Sequence, residues 1–180
     1  DAVHRHPYRP EKLALRSARW AQRAQDLLDA LGEEEGYALL LGAGSGDLLR
    51  ELLVRSELHI VVLEADEIRV RALRDEFAEA GLYGDRVAVI QAAPDAFKVQ
   101  PYLFSMILSE DAAAAGLPDD SALLADLFER LRPYGGVAYL NGDDGFIAAA
   151  LGAAVDRVQL ERREDGGVAQ RSGPVTGAGQ

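Results

Sequence analysis

The chain of 180 residues contains no cysteine, which excludes disulfides, thiolate catalysis and zinc–sulfur sites together. Histidine is scarce as well. Of the three present, His4 and His6 fall at the very start, which leaves little for a metal centre. No apolar run approaches the roughly 18–20 residues of a membrane span, and no secretory signal is visible. Positive charge is in deficit, with 19 Lys and Arg against 30 Asp and Glu and a formal charge of −11. Nucleic acids and anionic membranes do not attract such a surface, so neither is an expected partner. The chain opens on Asp1 rather than Met, which reads as a processed or excised segment. A cytoplasmic location is the expectation.

What remains is globular in kind. Apolar residues make up 48% and charged residues 27%, both near the average for folded domains. The length suits one substantial core rather than two domains. Residues 1–10 hold two prolines and no periodicity, and are expected to form a flexible leader. A single domain is expected over 11–171, and the Gly/Pro/Ser-rich stretch 172–180 reads as a flexible tail or linker. From Glu11 to Leu31 the residues Leu13, Trp20, Ala24, Leu27, Leu28 and Leu31 fall on one helical face. Arg16, Arg19 and Arg23 belong to the solvated face, and Gly32 stands at the C-cap position.

Strands and helices then alternate. Tyr37–Leu41 reads as a strand and Asp47–Arg55 as its helix. Leu58–Leu63 is an apolar, β-branched run of the kind buried on both faces of a parallel sheet. A helix is predicted over Glu67–Ala80, a third strand over Arg86–Gln91 and a fourth over Tyr102–Leu108. Asp119, Asp120 and Ser121 offer N-caps for a helix through Leu131. A fifth strand is predicted at Val137–Leu140, a helix at Phe146–Val155, and a closing hairpin of Val158–Arg163 with Val168–Arg171. The pattern is α/β: a Rossmann-like, doubly wound, mostly parallel sheet with a C-terminal antiparallel hairpin, whose ligand belongs at the strands' carboxyl ends.

One loop carries most of the chemistry. Leu39-Leu40-Leu41 runs into Gly42-Ala43-Gly44-Ser45-Gly46, and Glu64 closes the next strand. Glycines allow close backbone approach to a ligand, and a helix starting at Asp47 points its N-terminus at the same place. A carboxylate at the end of the second strand can accept two ribose hydroxyls. A nucleoside-containing ligand follows.

The stretch 39–46, together with Val61-Val62-Leu63-Glu64-Ala65, Val70 through Gln91, and Leu131-Arg132-Pro133-Tyr134-Gly135-Gly136-Val137, resembles the class I S-adenosylmethionine-dependent methyltransferases. The likeness spans about Tyr37 to Leu140. It implies that S-adenosylmethionine is the cofactor, held around Gly42, Ala43, Gly44, Ser45, Gly46, Glu64, Ala65, Ala92, Ala93 and Ser109, and that the chain is a methyltransferase. A dinucleotide-binding domain is the alternative. Its fingerprint would place a third glycine at position 47, where Asp47 stands and would repel a pyrophosphate.

Departures from the family pattern bear on catalysis. Leu40 occupies the usual place of an acid before the loop, and Ala92-Ala93 that of an acid near the adenine, for which Asp95 is a possible substitute. After the fourth strand the chain reads Ser109-Glu110-Asp111-Ala112 rather than an Asp/Asn-Pro-Pro-aromatic motif. Glu110 and Asp111 are the candidate bases by position, with capping as their simpler use, and Asn141 could orient a substrate. His59 lies at the opposite end of its strand, and Asp143 and Asp144 read as caps. His4, His6 and Tyr8 could form a lid. No long insertion is available for a large acceptor, so the partner is a small molecule or a neighbouring domain. Leu40 and Ala93 open the alternative of a catalytically weak or inactive module that keeps the fold. The tail faintly resembles the junction into quinone-type β-propeller repeats of bacterial multidomain proteins, which would make the chain one module of a larger redox protein.

Overall fold

The computed structural model describes residues 7–153 in full, and strands 158–163 and 166–171 by their backbone. His4, His6, Val155, Glu164, Asp165 and the stretch 172–180 lie outside the described residues. Seven strands form one sheet: β1 (Tyr37–Leu41), β2 (His59–Glu64), β3 (Val87–Gln91), β4 (Met106–Ser109), β5 (Gly136–Leu140), β6 (Val158–Arg163) and β7 (Gly166–Arg171). Their order is β3-β2-β1-β4-β5-β7-β6. The first five run parallel, and β7 and β6 close the sheet antiparallel. The order reverses between β1 and β4, which makes their carboxyl ends the switch point where α/β sheets bind ligands.

Alternation along each strand divides the core into two layers. Ala38, Leu40, Ile60, Val62, Met106, Leu108, Val137 and Tyr139 pack against α1 (Ala18–Leu31), α2 (Asp47–Arg55) and α3 (Glu67–Glu79). Leu39, Leu41, Leu63, Ile107, Ala138 and Leu140 face α4 (Ser121–Glu129) and α5 (Asp144–Gly152). Side chains at both parities are buried, which is why the strands read as continuous apolar runs. Leu40, where the resemblance would place an acid, is fully buried in the first layer.

Several boundaries differ from expectation. The N-terminal helix is split into a short 3-10 turn, Pro10–Lys12, and α1. Ser17 caps α1 through the Trp20 amide, and Gly32 ends it in the left-handed region at φ 70°. The leader is not free from Arg9 onward, because its amide donates to Ala80 O at 2.9 Å. Strand β4 is shorter than its apolar run suggests. Tyr102 takes φ 65°, and Phe104 makes only an isolated bridge to Leu131 before the strand begins at Met106. Asp120 caps α4 and Asp143 caps α5, so the helix predicted from Phe146 starts two residues earlier. Among the described residues no helix is long and apolar enough to cross a membrane.

Candidate functional site

The switch point opens into a pocket of about 480 Å³. Its floor is the loop after β1, its sides are the ends of β2 and β4, and its rim is the start of α1. Of the sequence-predicted residues, Gly42, Gly44, Ser45, Glu64, Glu110, Asp111 and Asn141 line it. Ala43 and Gly46 belong to the loop behind that lining: Ala43 is buried, and Gly46 is the N-cap of α2 at φ 80°. Ala65 and Ala93 are exposed beyond the lining, and Ala92 donates its amide to Glu64 O at 3.1 Å. Ser109 is fully buried and donates its hydroxyl to Leu41 O at 2.8 Å, tying β4 to β1. Asp95 is exposed and outside the lining.

The Glu64 carboxylate is held by backbone on both sides. Oε2 accepts the Ala43 amide at 3.0 Å, and Oε1 accepts the Asp66 amide at 3.1 Å. Two amides fix its direction, and each oxygen keeps a lone pair for a further donor. Asp66 caps α3 through the Arg69 amide. Arg69 folds back from the first turn of that helix, as side chains there must, toward the helix N-terminus. Its guanidinium donates to Gly44 O and lies 3.6 Å from Glu64 Oε2.

Glu110 turns inward. Its Oε2 accepts the Ser45 amide at 2.7 Å and the Ser45 hydroxyl at 2.8 Å, while Oε1 accepts the Leu48 amide at 2.8 Å. It is 5% exposed. Gly46 offers no side chain to cap α2, so the carboxylate of the residue after β4 satisfies the Leu48 amide in that helix's first turn instead. The loop's glycines suit this contact. A Cβ on Gly44 would lie 2.4 Å from Glu110 Oε2, and one on Gly42 would lie 2.7 Å from Ala115 Cβ. Both glycines also hold positive φ. The segment after β4 therefore lies directly on the loop, where Ala115 faces Gly42 and leaves no room for a larger side chain. Asn141 donates to Glu110 O at 2.9 Å, and Asp111 accepts the Ala114 amide at 3.0 Å while remaining exposed to the pocket.

Asp47 is spoken for elsewhere. Arg50 donates to it at 3.1 Å, to Ser45 O at 3.2 Å, and to both Glu76 oxygens at 2.6 and 2.9 Å. The hydrogen bonds to Glu76 hold the guanidinium above its ordinary pKa against the opposing effect of burial. Asp47 lies outside the pocket lining. Its charge therefore does not argue against a pyrophosphate as the sequence suggested; the charge that does is Glu110, inside the loop.

The start of α1 also lines the pocket. Trp20 is buried against Tyr139, edge to face at 6.4 Å, and Arg19 lies over its ring at 5.1 Å from the centroid. Arg19 reads in the sequence as part of a solvated face. The missed signal is its position in the first turn of α1 beside Trp20, the inward residue nearest the strand ends. Tyr8 lies away from the pocket, near Arg86 and Glu57 at the amino ends of β3 and β2, where burial raises its pKa. His59 is there too, with Nδ1 2.8 Å from Asp85 O and its ring stacked on Tyr37. No group of three or more candidate metal ligands occurs among the described residues.

No protein-family model matches the sequence, and no curated protein sequence matches it. Solved structures do. A Methanococcus maripaludis protein assigned as an S-adenosylmethionine-dependent methyltransferase aligns with TM-score 0.67 and 14% identity, over 88% of this chain and 87% of that one. An S-adenosylmethionine-dependent methyltransferase from Aquifex aeolicus aligns with TM-score 0.64 and 15% identity, over 91% and 98%. The cyclase SpnF aligns with TM-score 0.66 and 13% identity, over 89% and 66%. These likenesses are of fold: the protein has the class I methyltransferase architecture, which serves more than one chemistry.

Proposed function

We propose that the pocket binds S-adenosylmethionine or its product, and that the chain is a methyltransferase for a small acceptor. The observation that carries this reading is the Glu64 carboxylate. Backbone amides aim it from the end of β2 across a glycine loop at the switch point, where it would hold the ribose hydroxyls. The lining fits the rest of the ligand: Glu64, Asp66, Glu110 and Asp111 outnumber Arg19 and Arg69, which favours a cationic sulfonium over a phosphate. When bound, that group supplies an already activated methyl, so the protein's part is alignment, exclusion of water and removal of a proton where needed. Trp20 supplies an apolar wall. Asp111 is the exposed carboxylate available as base, since Glu110 is engaged by the loop amides. The modest pocket and the absence of a long insertion among the described residues between β4 and β5 support a small acceptor.

Trp20 is the single tryptophan and lines the pocket, so its emission reports binding. Titration with S-adenosylhomocysteine should change that emission saturably. No change in emission and no heat on mixing would contradict the reading.

A further inference from the structure

The loop that a phosphate would use is already filled by the chain's own carboxylate. In the glycine loop and the first turn of α2, the Ser45 and Leu48 amides and the Ser45 hydroxyl all donate to Glu110. These are the donors with which such loops cradle a phosphate. The residue is 5% exposed yet faces the pocket. Gly44 approaches it too closely for any side chain. Asn141 donates to the carbonyl of Glu110 itself, and of the two guanidiniums that donate to loop carbonyls, Arg50 is bound to Asp47 and Glu76 while Arg69 lies 3.6 Å from Glu64. The charge in the loop is thus fixed in place.

We infer that Glu110 is a specificity-determining residue, a built-in anion that bars phosphate-bearing nucleotides from the pocket and reserves it for nucleosides with a cationic or neutral tail. The inference rests on the nucleoside pocket proposed above, but it makes a claim of its own about charge. Removing the carboxylate should convert a loop that rejects phosphate into one that binds it. Keeping its shape without its charge should do so in part, because an amide nitrogen still confronts one of the donors.

The test is calorimetry on the full chain with three probes: inorganic phosphate, adenosine monophosphate and S-adenosylhomocysteine. Each is titrated into the wild type, Glu110→Ala and Glu110→Gln, with circular dichroism to establish folding. The wild type should bind neither phosphate probe. Glu110→Ala should gain about tenfold or more in affinity for inorganic phosphate and for adenosine monophosphate, and Glu110→Gln a smaller part of that. S-adenosylhomocysteine should bind the wild type in preference to adenosine monophosphate. Phosphate binding by the wild type, or a folded variant whose phosphate affinity is unchanged, overturns the inference. If Glu110→Ala does not fold, the Gln variant and the wild-type preference carry the same decision. The inorganic phosphate arm needs no nucleoside, so failure of S-adenosylhomocysteine to bind counts against the proposed function and leaves the phosphate result to judge Glu110.

Discussion

Glu110 and Ser45, 65 positions apart in sequence, are joined twice: one carboxylate oxygen accepts both the Ser45 amide at 2.7 Å and its hydroxyl at 2.8 Å. The other oxygen takes the Leu48 amide. This residue couples the end of β4 to the loop after β1. Replacing it by Ala leaves the buried Leu48 amide and the part-buried Ser45 donors without their charged acceptor and should lower stability by about 2–3 kcal/mol, or a melting temperature about 4–12 °C lower. Thermal denaturation followed by circular dichroism measures this, and a melting temperature within about 1 °C of wild type would argue against a structural part for Glu110.

Leu40 stands where the methyltransferases the sequence resembles carry an acid, and its surroundings do not admit one. It is fully buried in the layer shared with α1 and α2. An Asp there would be a charge without a partner in an apolar layer, with Glu110 already supplying an anion to the loop. Leu40→Asp should cost more than about 3 kcal/mol, read as a lower urea midpoint. A fully stable Leu40→Asp protein would mean that the layer is open to solvent or polar groups.

Arg69 competes for Glu64. Its exposed guanidinium lies 3.6 Å from Glu64 Oε2, and such pairs are worth about 0.2–1 kcal/mol. Arg69→Ala should therefore tighten S-adenosylhomocysteine binding by up to about fivefold, with a smaller effect at high salt. Loss of binding in this variant would show instead that Arg69 holds the ligand.

The pair of Arg50 and Glu76 fastens α2 to α3 away from the pocket. Glu76→Gln should cost about 1–2 kcal/mol without altering ligand affinity. The Arg50 pKa is raised, so the pair's contribution is complete below arginine's ordinary value. On the arginine side it is lost as pH rises through the raised one, at strongly alkaline pH. Urea midpoints compared at neutral pH, together with a ligand titration, check both halves of this.

Sequence and structure agree best where a local pattern is decisive. β1 and α2 occupy Tyr37–Leu41 and Asp47–Arg55 as predicted, because an apolar run, a glycine loop and an amphipathic helix each have one reading. Caps for α4 and α5 were legible as short runs, Asp119 to Ser121 and Asp143-Asp144, within which Asp120 and Asp143 do the capping. What depends on chain segments meeting in space was not. Nothing near Glu110 in sequence announces that its carboxylate enters a loop 65 positions away, nor that Arg50 reaches Glu76 on the next helix. Tyr102 at φ 65° breaks an apolar run that reads as strand. Arg69 needed one inference from helix geometry, that first-turn side chains point back toward the strand ends.

The most direct test of the central claim is a calorimetric titration of S-adenosylhomocysteine into wild type and Glu64→Ala, with melting curves to show that both are folded. Loss of two hydroxyl hydrogen bonds to a carboxylate should weaken binding by about 1.5–3 kcal/mol, or about 10- to 150-fold. Equal affinity in the two proteins, or no heat in either, would contradict the account.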